Sequence, residues 1–267
     1  THATAAVGAT STVGWLIGSS VHAFGIGFLS FIAQAYGAGD REEASKSVAQ
    51  SVILTVIVGS VFTALTLGLS GMVPVWMQVD PLIREQAAIY FLIVYSPMLA
   101  RTASMIFGTI LRSVGDSKTP MRLGLTTNLI NVILNFLLIY PTRAVRIFGI
   151  SLVMPGAGWG VVGAAVASAT AYWIGGILIT IALYKHPAVS PRGYSVKPDM
   201  QVLRPCLKVA MPNALQRFGT SLGYVAFAAM INSLGEVATA AHTVANTVES
   251  AFYIPGYGMQ TAAATLA

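Results

Sequence analysis

Apolar residues run along this chain in long unbroken stretches, with charge confined to the gaps between them. Residues 1–39 contain no Asp, Glu, Lys or Arg, and neither do residues 47–79. About 20 mostly apolar residues are enough to cross a bilayer as a helix. The two runs therefore predict membrane-spanning helices over Ala3–Tyr36 and within residues 47–79. Five more come after them: Gln86–Leu111, interrupted only by Arg101; Leu123–Tyr140; Gly158–Tyr184; Val209–Leu234, with Arg217 inside it; and one beginning at Val237, with Glu249 inside it. Turns separate the seven, and the two longest, Pro141–Ala157 and Lys185–Lys208, are expected as loops.

Composition agrees with this pattern. Of 267 residues, 55% are hydrophobic and 9% are charged, against roughly 25% charged in a soluble domain. So few charges cannot cover a water-soluble enzyme, and a chain this apolar is not disordered. The single cysteine, Cys206, rules out an intrachain disulfide framework and a thiolate cluster. The net charge of +6 does not point to nucleic acid, because the basic residues sit between apolar runs and not on a solvated face. Ten of the fifteen basic residues fall in the first, third and fifth loops, and three in the others. The bias of Lys and Arg toward the inner side places loops 37–46, 112–122 and 185–208, and Cys206 with them, in the cytoplasm.

The start of the chain is partly repeated near its end. Ala3-Thr4-Ala5-Ala6 recurs as Ala238-Thr239-Ala240-Ala241, and Thr12-Val13 as Thr247-Val248, six identities in eleven positions. Both segments open a span on the same side, six spans apart, as in transporters built from parallel repeats. Two such repeats make a parent of about 470 residues with twelve helices. This chain is expected to be part of it.

Chemistry-bearing residues inside the spans are few. Asn128, Asn131 and Asn135 share one helix face; they either bond neighbouring helices or wall a cavity. Glu249 and Arg217 fall at matching depth, about 12 Å from the inner face at about 1.5 Å per residue. They either form an ion pair or act separately, with Arg217 snorkelling and Glu249 left as a lone intramembrane carboxylate. Arg101, near the inner face, is expected to snorkel to it. Gly160, Gly163, Ala164, Ala165, Ala167, Ser168 and Ala171 form a close-packing face, from which Ser168 can offer a hydroxyl. Gly14-x-x-x-Gly18 is expected to pack. His22 and His242 have no partner at metal-ligand spacing, so no metal site is expected. Gly219-Thr220-Ser221-Leu222-Gly223 fits the G-x-S-x-G pattern of serine hydrolases, which requires Ser221 on a strand-to-helix elbow. That is a remote alternative function, a membrane-embedded hydrolase.

Several tracts resemble the multidrug and toxic compound extrusion (MATE) family, closest to its DNA-damage-inducible F-like branch. They are Gln34-Ala-Tyr-Gly37-Ala-Gly-Asp40, Gly108 to Met121 with Gly115, Asp116 and Pro120 inside it, the asparagine helix, Gly163–Ser168, and Ala240 to Pro255. The resemblance implies an all-α integral membrane protein in which the seven spans are the second to eighth of twelve. Residues 1–186 would form the N-terminal lobe without its first helix, 187–203 a cytoplasmic linker, and 204–267 the start of the second lobe. It implies efflux of small organic, cationic or amphipathic compounds in exchange for Na⁺ or H⁺, without a cofactor, by a monomer in the bacterial inner membrane. Some members have an Asn followed four residues later by an Asp that serve ion binding. These fall on Asn131 and Asn135, so the carboxylate is an amide here. Ser168 falls where those members have a hydroxyl, and Thr220 where another branch has a cation-binding Glu. A lipid-linked oligosaccharide flippase of the same superfamily is the alternative within transport, and would show a cationic cavity.

Overall fold

The computed structural model describes residues 2–76, 81–147, 150–195, 197–233 and 236–266. The elements are α1 (His2–Gly37), α2 (Arg41–Leu69), a single turn α3 (Val73–Trp76), α4 (Pro81–Tyr95), α5 (Met98–Ser113), α6 (Lys118–Ile139), β1 (Pro141–Ile147), β2 (Ile150–Ala157), α7 (Gly160–Lys185), α8 (Met200–Ser233) and α9 (Glu236–Leu266). Among the described residues, α1 over Leu16–Gly37, α2, α6 and α7 are long and apolar enough to cross a membrane, and α4 with α5 adds a fifth if taken as one bent span. The sixth and seventh expected spans correspond to α8 and α9, of 34 and 31 residues. The loop ends rich in Lys and Arg gather at one end of the bundle, the basic end; the opposite end carries β1 and β2.

Two turns at the basic end use the same device. Gly39 and Gly115 adopt φ of +81° and +85°, a conformation that costs glycine little and stops the preceding helix. The next residue, Asp40 or Asp116, donates its N–H back to Ala35 or Leu111 at 3.0 and 2.9 Å. Its carboxylate then accepts the N–H of Glu43 or Thr119 at 2.9 and 3.0 Å, opening α2 or α6. Gln34 and Gly37 lie in the last turn of α1, where Ala38 N–H bonds the Gln34 carbonyl at 2.9 Å. Pro120 sits in the first turn of α6, where a missing N–H costs nothing.

Three expectations need correction. The third span is not one helix: α4 and α5 meet at Ser96-Pro97 with a 49° bend. Proline lacks the N–H that would bond the Ile93 carbonyl and disfavours helical geometry in the residue before it. The Ser96 hydroxyl donates to that carbonyl instead, at 2.8 Å. The Pro141–Ala157 loop is an antiparallel hairpin, pairing Pro141 with Ala157 and Ile147 with Ile150, within an otherwise helical membrane fold. Finally, α8 starts at Met200, inside the expected linker, because the Asp199 carboxylate accepts the Gln201 N–H at 2.9 Å and caps the helix.

Packing centres on α1 and α7. α1 contacts α2, α4, α5 and α8, while α7 contacts α4, α5 and α6. The main core joins Phe28 and Ile32 of α1, Val48 of α2, Ile106 and Ile110 of α5, Leu183 of α7, and Val202, Leu203 and Cys206 of α8. The base of α8 is thus part of the same core. Here α1 and α8 approach so closely that a methyl group on Gly27 would collide with the Cys206 carbonyl and stand 3.0 Å from the Ala210 Cβ. Cys206 is 1% exposed, so the thiol lies within this seam and not on an open loop. Gly14 and Gly18 pack as expected, against Tyr95 and Met105.

The segment before α8 is fastened to α2. The buried Gln50 amide donates to the Lys197 carbonyl at 3.0 Å and accepts the Asp199 N–H at 2.8 Å. Lys46 and Asp199 form an ion pair at 2.9 Å, which holds the Asp199 carboxyl below and the Lys46 ammonium above their ordinary values. Asp116 also faces His186 across 3.8 Å. Burial alone would raise the Asp116 carboxyl, but the hydrogen bonds from Thr119 outweigh it, helped by His186 and the Lys118 N–H, and hold it below its ordinary value. A carboxyl lowered by folding adds stability that is complete above its unfolded value, about 3.9, and is lost as pH falls through the lowered one. In thermal melts, the stability advantage of wild type over Asp116→Asn should therefore be present at about pH 5 and shrink toward pH 3.

Candidate functional site

The polar side chains expected in the spans fall into separate groups. α6 and α7 run antiparallel, and glycine lets them touch: Gly163 lies against the Leu138 carbonyl, and a methyl on Gly175 would stand 2.9 Å from the Thr127 hydroxyl. Between these two points Asn131 Nδ2 donates to Ser168 Oγ at 3.2 Å, and Asn135 Nδ2 donates to Asn131 Oδ1 at 3.0 Å. The Asn135 Oδ1 is buried and has no hydrogen-bond partner among the described residues. A buried acceptor left without a partner costs about 1–3 kcal/mol. Asn128, although on the same helix face, is exposed and outside the group. Among the described residues no three His, Cys, Asp or Glu side chains converge. A cation at this cluster would thus be held by neutral amide and hydroxyl oxygens.

One turn beyond Ser168 on α7 stands Tyr172. The Arg101 guanidinium lies 4.8 Å from its ring centre and 5.3 Å from that of Tyr95. Arg101 therefore does not snorkel. Helical side chains lean toward the N-terminus of their own helix, and this lean carries Arg101 back across the Pro97 break onto two aromatic faces. Out of water such a contact contributes about 2 kcal/mol. Tyr95 also stacks on Phe91 at 4.3 Å.

Of the two alternatives for Arg217 and Glu249, the ion pair is not found among the described residues. Glu249 is exposed on α9 and takes a hydrogen bond from Tyr253. The electrostatic neighbour of Arg217 is instead His22 of α1. Equal depth brings two residues together only if their helices also turn those faces toward each other, and counting residues fixes depth alone. Thr220 donates back to the Gln216 carbonyl at 2.9 Å, and Ser221 lies mid-way along the continuous helix α8. No strand precedes Ser221 there, so the elbow a hydrolase needs is absent and that reading falls. Pro255 is inside α9.

Sequence reasoning missed the Arg101–Tyr95–Tyr172 group and the Gln50 fastening. Pro97 was the available signal for the first, since a break redirects the helix after it. A groove of about 610 Å³ lies where the linker crosses α2, lined by Glu42, Lys46, Gln50, Tyr194 and Lys197. It is at the basic end, away from the amide cluster.

Known proteins share this fold. The MatE family pattern matches residues 1–137. The chain belongs to the MatE family. The probable multidrug resistance protein NorM of Thermotoga maritima is 28% identical over 260 residues, covering 97% of this chain and 54% of that protein. This MatE chain thus spans about half the length of the curated relatives it matches. An outward-facing structure of a multidrug resistance MATE transporter of the MOP superfamily superposes with a TM-score of 0.81 at 23% identity, covering 98% of this chain and 56% of that one. An inward-facing structure of such a transporter superposes with a TM-score of 0.68 at 25% identity, covering 83% and 47%. The MatE placement makes this a multi-pass membrane chain of a transporter family and not an enzyme.

The contacts within the amide cluster separate its members. Asn131→Leu removes both hydrogen bonds of the group and should lower the melting free energy by about 1–3 kcal/mol. Asn135→Leu also removes the partnerless oxygen and should cost clearly less. Glu249→Gln, with no buried partner to strand, should change stability by no more than about 0.5 kcal/mol. Thermal melts of the three variants in detergent check the order.

Proposed function

We propose that this chain supplies the first lobe, and the start of the second, of an exporter that moves small amphipathic organic compounds out of the cell in exchange for Na⁺ or H⁺. The first lobe is residues 1–186 and the second begins near the base of α8. The basic end faces the cytoplasm of a bacterial inner membrane, following the Lys and Arg bias. The observation that carries the reading is the α1–α8 seam at Gly27, Cys206 and Ala210. With the two lobes in contact at the basic end, access to the space between them is from the opposite side. The closer superposition on the outward-facing relative than on the inward-facing one supports that reading. Export then requires the seam to part, which the small residues along it allow. Asn131, Asn135 and Ser168 are the proposed ion-binding group in this lobe, with Glu249 as a separate carboxylate in the second.

Cys206 is a built-in reporter of the seam. The test uses the full-length transporter, with any other cysteine changed to serine, in inside-out vesicles. An impermeant maleimide should label Cys206 slowly at rest and several-fold faster while an ion gradient drives efflux, and Gly27→Val should raise the resting rate. A labelling rate indifferent to cycling would overturn the alternating seam, and labelling from the opposite side in right-side-out vesicles would overturn the orientation. In the same vesicles Asn135→Leu should cut gradient-driven efflux while folded protein remains, and Asn135→Asp should alter its cation dependence.

A further inference from the structure

One side-chain amide carries most of the contact between α2 and the stretch before α8. Gln50 is 2% exposed. Its Nε2 donates to the Lys197 carbonyl at 3.0 Å, and its Oε1 accepts the Asp199 N–H at 2.8 Å. The amide thus serves the backbone on both sides of Pro198, which has no N–H of its own. Beside it, Lys46 Nζ lies 2.9 Å from Asp199 Oδ2. Lys46 and Gln50 stand in the second and third turns of α2, within the first lobe, and Asp199 opens α8. The clasp therefore joins the first lobe to the start of the second.

Its place along α8 decides what it does. Asp199 precedes Cys206 by seven residues, which puts it about 10 Å nearer the basic end than the α1–α8 seam. When two lobes rock against each other, they separate most at the end that opens. The seam at Gly27, Cys206 and Ala210 therefore cannot part from the basic end while Gln50 still holds Lys197 and Asp199.

The clasp is also built to come apart. The Lys46 and Asp199 side chains are 44% and 28% exposed, so water replaces the ion pair at little cost. A groove of about 610 Å³, lined by Gln50, Lys46, Tyr194 and Asp199 among others, gives water room to take over the bonds of the amide. Release leaves α8 whole. The oxygen that caps Gln201 is Asp199 Oδ1, not the one facing Lys46, and the Asp199 carbonyl keeps the N–H groups of Val202 and Leu203 at 3.2 and 2.9 Å.

We propose that Gln50 and Lys46 form a latch that holds the transporter closed at the basic end, and that opening toward the cytoplasm requires Lys197 and Asp199 to leave them. The latch rests on the export reading, in which the seam parts during each cycle. It adds the element that sets how often: the strength of the clasp fixes the fraction of resting transporter open at that end.

The test uses the full-length transporter in inside-out vesicles, with Cys206 the one cysteine kept and an impermeant maleimide as the probe. Without a gradient, Gln50→Leu, which removes both hydrogen bonds, should raise the rate of Cys206 labelling roughly tenfold. Gln50→Glu keeps an acceptor for Asp199 but cannot donate to Lys197, and should fall between that variant and wild type. Lys46→Ala should give a smaller rise, since its ion pair is partly exposed. Melting curves identify the folded variants. A cross-link tests the converse. With Lys46→Cys and Asp199→Cys bridged by a short bifunctional methanethiosulfonate, in a Cys206→Ser background, gradient-driven efflux should stop, and dithiothreitol should restore it. Resting labelling unchanged in the folded Gln50 variants, or undiminished efflux by the cross-linked protein, would overturn the latch. Wild-type labelling that ignores the gradient would sink the export reading, whereas a gradient response in wild type beside silent Gln50 variants would sink the latch alone.

Discussion

Close approach of helices at glycine is the constraint on which the rest of this bundle depends. Between helices surrounded by hydrocarbon the hydrophobic effect offers little, so association relies on packing and on hydrogen bonds. α7 meets this requirement with Gly163 and Gly175 toward α6 and Gly176 against the Ala100 backbone of α5. Because α6 comes this near, Asn131 reaches Ser168. Because α5 comes this near, Arg101 reaches Tyr172. A Cβ at any of the three glycines would move the helix it faces and pull a polar group off its partner.

The bundle handles polarity inside the spans in two distinct ways. Amides bond to one another and to a hydroxyl, leaving one oxygen over. A lone guanidinium is taken up by aromatic faces. Both are compatible with a rigid scaffold.

The sequence was most readable where one dimension suffices. Charge-free runs located the long helices, and the spacing of Asn131 and Asn135 put them on one helix face. It was least readable where rotation about a helix axis or side-chain direction decides. Arg217 and Glu249 match in depth by residue count yet do not pair among the described residues, and Arg101 leans away from the face it was expected to seek. Asn128 shares the stripe of its neighbours yet lies at its edge. The hairpin after α6 was hidden because Gly and Pro in Pro141–Ala157 mark a turn without saying whether the flanks pair. The burial of Cys206 was hidden because Asp199, a loop residue by composition, caps a helix that carries the cysteine straight into the core.

The Ser96–Pro97 break also bears on how force travels through the protein. Pro97 cannot bond the Ile93 carbonyl, yet that carbonyl is met by the Ser96 hydroxyl from the same helix, so the bend leaves no vacancy for water there. Arg101 clasps Tyr95 from the far side of it. Straightening would have to give up both contacts in an apolar surrounding where neither is easily replaced. The α4–α5 span is thus a preset angle and not a joint, an elbow already locked.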